Sequence, residues 1–233
     1  MRSAKTIFIK QAKDTMKNPS SLIQFILFPV VAWLMTEFVA KSENFEGMPV
    51  NMFVVLMGAV FAGMGLIMVT AGIVAEDIEK KSLRFLVMAG VKPNQYLGGT
   101  GSFLLVLGSI TALLFGLIGI FTTAELVKFV VVLIACVANS IILGATVGLM
   151  SKNQQSAMSL GMPVAVVLAF TPMVANFNET IYNASSFLYT QQLNIITNDF
   201  TEDFTKAMIV IFINMVVLIV LFSLAYWKRG LRS

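Results

Sequence analysis

Glu76, Asp77, Glu79, Lys80, Lys81, Arg84 and Lys92 share the one long charged stretch of an otherwise apolar chain, AEDIEKKSLRFLVMAGVKPNQYLGG. Glu76 and Lys80, then Asp77 and Lys81, stand four apart with the acid first. That order supports a helix by roughly 0.2–0.5 kcal/mol per pair. Ile78, Leu83, Leu86, Val87 and Val91 add apolar surface without forming one clean stripe, and Gly90 and Pro93 stop the helix. A short charged helix of this kind either docks on another protein or stands as a solvated loop. Histidine-dependent catalysis is excluded. The chain has no histidine, so it lacks Ser-His and Cys-His pairs, an H-E-x-x-H zinc site and a histidine proton relay. Its single cysteine, Cys136, lies in an apolar run and can support neither a disulfide framework nor a cysteine metal site.

The elements around this stretch are built for lipid. Of 233 residues, 58% are hydrophobic and 12% charged, against about 25% charged in soluble domains. Mean hydropathy is +0.86. A helix needs about 20 apolar residues to cross the hydrocarbon core. Windows of that kind at 22–40, 52–75, 102–123, 129–150, 158–175 and 207–227 predict an all-α, polytopic membrane protein with six transmembrane helices in one domain, residues 1–233. The fifth is short and carries Pro163 and Pro172. The first is no cleavable signal peptide, because a long basic segment precedes it and no small-residue cleavage site follows.

Orientation follows from the basic residues. With the N-terminus cytoplasmic, Lys41, Lys128 and Lys206 fall outside and the remaining thirteen of the 16 Lys and Arg fall inside. Both termini are therefore expected in the cytoplasm, with 76–92 as the largest internal loop. Residues 1–18 carry Ala4, Ile7, Phe8, Ala12, Thr15 and Met16 at helical spacing opposite Lys10, Lys13, Asp14 and Lys17, an amphipathic helix suited to an anionic membrane surface. The NPSS stretch at Asn18 ends it.

Residues 176–206 form an external loop. Tyr189, Leu193, Ile196, Phe200 and Phe204 recur there at helical spacing, which fits either a re-entrant helix or a helix resting on the outer leaflet. Inside the spans, Gly144 and Gly148 make a G-x-x-x-G, and Gly58 with Ala62 and Ala59 with Gly63 make small-residue pairs suited to close helix packing. Asn139 and Asn214 are polar at membrane depth, as interhelical hydrogen-bonding groups or as lining for a path. No acid or base lies deep within a span, which counts against an ion-coupled carrier. Met57, Met64 and Met68 along the second span either face lipid or line a pliant apolar path.

KNPSSLIQFILFPVVAWLM, the charged stretch with Glu76, Ser82, Leu83, Leu86, Tyr96 and Gly98, and the layout of six spans with a long external loop together resemble the membrane subunits of type-2 ABC exporters. That family often has Gly-Thr where Lys81-Ser82 stand and a proline where Gly90 stands. The resemblance covers the whole chain and implies a permease. It would work with a second permease subunit, identical or related, and with a separate ABC ATPase subunit that binds ATP and Mg. Residues 76–92 would be the coupling helix, with Glu76, Asp77, Lys80, Lys81, Arg84 and Leu86 at the ATPase contact, and residues 1–18 the connecting helix. No G-x-x-x-x-G-K-[ST] loop occurs in this chain, so no nucleotide site or enzyme activity of its own is expected, nor any nucleic-acid partner. Membrane lipid is the remaining partner and a bacterial plasma membrane the expected location. A non-transporting immunity or sensing subunit and a secondary transporter are the alternatives.

Overall fold

A computed structural model describes residues 2–17, 19–40, 51–198, 200 and 203–232. Lys41 and the Asn18 break lie outside the described residues. Among the described residues eleven α-helices follow in chain order: α1 Arg2–Lys17, α2 Pro19–Met35, α3 Met52–Val60, α4 Ile67–Glu79, α5 Ser82–Met88, α6 Pro93–Ile118, α7 Thr123–Met150, α8 Gln154–Ala175, α9 Glu179–Ser185, α10 Gln191–Asn198 and α11 Asp203–Arg232. A π-helical turn, Thr36–Ala40, extends α2, and another, Phe61–Leu66, joins α3 to α4 without a break. No strand occurs among the described residues.

Among the described residues five helices are long and apolar enough to span a membrane: Met52–Glu79, α6, α7, α8 and α11. Residues Leu22–Phe38 complete a sixth candidate when taken with Thr6–Lys17, from which they are bent by 66°. The described residues are thus all-helical, with five to six candidate transmembrane helices consistent with a multi-pass membrane protein.

Local chemistry explains where the helices begin, and two begin well before the sequence windows. Pro93 starts α6, far ahead of the window at 102, because proline lacks an N–H and has a helical φ, which suits the first helical position. The residue read as a stop therefore acts as a start. α7 starts at Thr123 rather than near 129. Thr122 caps it, accepting from the Glu125 N–H, while the Glu125 carboxylate accepts from the Thr122 N–H. Asn153 caps α8 in the same way through the Ser156 N–H.

The stretch 76–92 is also not one helix. Its first residues are the last turn of α4, and Lys81 then takes a left-handed conformation (φ 60°) that ends that helix. α5 follows and closes in a Schellman turn at Gly90 (φ 77°). There the Val91 N–H reaches the Leu86 carbonyl and the Gly90 N–H the Val87 carbonyl. A charged end of a membrane helix, a turn and a seven-residue helix replace the expected single rod.

α7 is the axis of the bundle, packed on α4, α6 and α11. Gly144 and Gly148 lie against α4: a Cβ added at Gly144 would sit 2.6 Å from the Ile67 carbonyl oxygen, and one at Gly148 2.7 Å from the Val74 Cβ. Gly63, inside the π turn, meets the α8 backbone at Ala169, 2.7 Å from such a Cβ. The small residues bring helices of this chain together. Phe25, Phe61 and Phe115 fill the space between α2, the π turn and α6, where the Thr111 hydroxyl also donates to the Phe25 carbonyl at 3.2 Å.

α1 does not rest on lipid alone. It packs along α6, with Ile7, Gln11 and Thr15 buried and the Phe8 ring edge-on to Phe103 at 5.8 Å. Met16, placed by spacing on the apolar face, is 72% exposed. The buried stripe is i, i+4, i+8 from Ile7 and includes two polar residues, which satisfy each other through the Gln11 Nε2–Thr15 Oγ1 bond.

Candidate functional site

The side chains able to do chemistry gather at one end of the bundle, where α1, α4, α5, the start of α6, the start of α8 and the end of α11 meet. Asp77 is the centre. It is 7% exposed and is the sole buried charge among the described residues. Its carboxylate accepts from Lys10 Nζ at 2.5 Å and from the Tyr96 hydroxyl at 2.9 Å. Tyr96 lies beside Tyr226 (centroids 5.9 Å apart), whose hydroxyl donates to the Val91 carbonyl at 3.0 Å. α1, α4 and α6 thereby meet at one carboxylate, and the Tyr96–Tyr226 contact joins α11 and the turn after α5 to them. A charge this far from water needs a cation and a donor, and it has both.

The preceding residue, Glu76, pairs with Lys80 and accepts from Gln154 Nε2 at 3.0 Å. Glu79 accepts from the Gln154 backbone N–H at 3.3 Å. Two carboxylates at the start of α8 suit the positive end of that helix. The Lys80 ammonium is held above its ordinary range, chiefly by its hydrogen bond to Glu76 and then by that residue's charge.

Of the six residues proposed for a partner contact, Glu76, Lys80, Lys81 and Arg84 stand at the rim, with Lys80, Lys81 and Arg84 exposed. Asp77 points inward. Leu86 is half-buried against the core, with Leu83 and Val87 on the same inner side. What α5 turns outward is Phe85, 65% exposed, and Met88, 64% exposed. Sequence reading missed both, because they break the apolar spacing that points inward. It also missed Lys10, Tyr96, Tyr226 and Gln154, whose meeting depends on helices distant in sequence.

Between α1, α2, α4 and α8 a cleft of about 700 Å³ opens at this same end. Leu27, Phe28, Met64, Met68, Met158 and Met162 form its apolar wall, and Asp14, Lys17, Gln24, Glu76, Lys80 and Gln154 its polar rim.

Asn139 and Asn214 lie elsewhere. Asn139 Nδ2 donates to the Ala135 carbonyl at 2.9 Å and across to Ile211 of α11 at 3.4 Å. Asn214 Nδ2 donates to the Phe187 carbonyl at 2.8 Å, fastening α11 to the chain between α9 and α10. α10 is tucked in among α3, α7, α8 and α11 rather than laid on the outer leaflet. Leu193 and Ile196 are fully buried, and so are Gln191, Gln192 and Asn194 from its polar side. Asn194 accounts for part of that by donating to Asn176 Oδ1 at 2.6 Å. The Tyr189 hydroxyl meets Ser140 Oγ at 2.9 Å, and Cys136 Sγ donates to the Tyr189 carbonyl. Tyr189→Phe should lower the thermal midpoint in detergent by a few degrees, since one hydrogen bond of about 1 kcal/mol is lost. An unchanged midpoint would show that the pair does not hold α10 in place.

No protein-family model matches this sequence, and no curated protein does either.

Proposed function

We propose that the chain is the membrane-spanning permease subunit of an ATP-driven exporter, working as a pair of permeases coupled to separate ATPase subunits. One observation carries this reading. α5 is a short helix gripping the bundle by Leu83, with Phe85 and Met88 turned outward among Lys81 and Arg84, and it hangs from a membrane helix whose last turn is locked at Asp77. A knob so joined passes a push at its tip to α4, α6 and α1 together. The basic residues favour the cytoplasm for this end. ATP and Mg would bind the partner, since this chain carries no phosphate-binding loop. The apolar tip and cationic flank fit an ATPase groove lined by apolar and acidic groups. Export, and a bacterial plasma membrane, follow from the family resemblance.

The alternatives draw less support. A sensing subunit that takes a peptide at its external loop would have to use Phe177 and Phe187, exposed on either side of α9, because α10 is buried. An ion-gradient carrier needs a titratable group along its path, and the buried carboxylate at Asp77 is already paired at one end of the bundle.

Affinity capture of the tagged chain in mild detergent from its native host tests the proposal. A stoichiometric ATPase is the expected companion. Its recovery should fall at least tenfold in Phe85→Asp/Met88→Asp with the thermal midpoint unchanged, and Glu76→Arg should uncouple ATP hydrolysis from transport. Capture of the chain without any ATPase would contradict the reading.

A further inference from the structure

The cleft between α1, α2, α4 and α8 has the chemistry of a ligand site. Its volume of about 700 Å³ falls in the range of single small-molecule sites, roughly 300–1,000 Å³. Four methionines, Met64, Met68, Met158 and Met162, form its apolar wall, and their unbranched side chains adapt to a flexible apolar tail. The rim carries both signs of charge. Lys80 pairs with Glu76 and also feels the charge of Asp14 across the mouth, while Asp14 and Lys17 themselves form no close ion pair among the described residues, so two acids and two bases face one opening. Asp14 and Lys17 stand three apart on α1, so they share a face and open on the same mouth. A head of one sign alone would meet as much repulsion as attraction here.

We propose that this cleft binds a single-chain amphiphile with a zwitterionic head, the cationic group at Asp14, the anionic group at Lys17 and the chain among the methionines. That such an amphiphile is the transported cargo rests on the permease reading above; its binding does not.

The test uses the full chain in nanodiscs of anionic phosphatidylglycerol, with tritiated dodecylphosphocholine below its critical micelle concentration as probe. Saturable binding is expected, weakened at least tenfold by Met158→Trp, which fills the cleft, and by Asp14→Asn/Lys17→Gln, which strips its rim. Dodecyltrimethylammonium and dodecyl sulfate should compete at least tenfold less well than unlabelled probe. Thermal midpoints of the variants, whose substituted side chains are all at the surface, establish that they fold. Binding unchanged in either variant, or equal competition by heads of one sign, overturns the proposal. So does a shift of the monomer–dimer balance in the variants with probe binding intact, because a second copy then fills the cleft. Failed binding alongside a captured ATPase leaves the permease reading standing, and binding without a captured ATPase does the reverse.

Discussion

Replacing Gly144 with leucine should remove folded protein from the membrane. A Cβ at this position lies 2.6 Å from the Ile67 carbonyl oxygen, 2.9 Å from the Thr70 Cβ and 3.1 Å from the Ile67 Cα. These are mostly backbone atoms, which cannot swing aside as the end of a side chain can. α4 cannot retreat as a body either, because one turn further on Gly148 lies against Ala71 and Val74. Alanine alone should cost about 1–3 kcal/mol through overpacking, and leucine should exceed what the α4–α7 contact can absorb. Gly98→Leu is the control: nothing lies within 4 Å of its Cβ position, and leucine is the better helix former. Size-exclusion profiles and thermal midpoints of the two variants separate the cases. A Gly144→Leu protein as stable as the parent would mean that α4 and α7 do not approach here.

The second large effect is expected at Asp77. In Asp77→Ala the fully buried Tyr96 hydroxyl loses its acceptor, a loss of about 1–3 kcal/mol for a stranded polar group. Lys10 loses its partner as well. Its side chain is 43% exposed and can turn to water, so the effect stays below the 3–5 kcal/mol typical of breaking a fully buried pair. Asp77→Asn keeps an oxygen for Tyr96 and gives up only the charge, so it should destabilise less than alanine does. A double-mutant cycle with Lys10→Met isolates the ion pair. Equal losses for asparagine and alanine would show that the charge, not the Tyr96 hydrogen bond, holds the node. On the permease proposal, because α1 is fastened to α4 here, transport should fall more in Asp77→Ala than ATP hydrolysis by the proposed complex.

How far these features could be read in advance depended on their range. The spans were legible because a run of apolar residues needs no partner to be recognised, and Gly144 and Gly148 because a four-residue spacing is local. The start of α6 was misjudged since Pro93 serves equally to end one helix and begin another. Only the left-handed Lys81 and the Schellman turn at Gly90 show that 76–92 divides. Asp77 read as a surface charge because its neighbours in sequence are charged. Its neighbours in space are Tyr96 and Lys10, 19 and 67 residues away. Composition has no means of pairing groups across such distances. α10 misled for a related reason: Asn194, on its polar side, is buried through bonds to Asn176 and to the Pro172 carbonyl, 18 and 22 residues away.

The most direct measurement of the central claim places a photo-crosslinking amino acid at position 85, with position 158 as comparison, in the native host. Phe85 faces outward from α5 and Met158 lines the cleft, so the two report on different surroundings. Irradiation should join position 85 to a polypeptide carrying a G-x-x-x-x-G-K-[ST] loop, and position 158 should give no such product. Crosslinks from position 85 to lipid alone, or to a protein without that loop, would contradict the assignment of α5 as the seat of an ATPase.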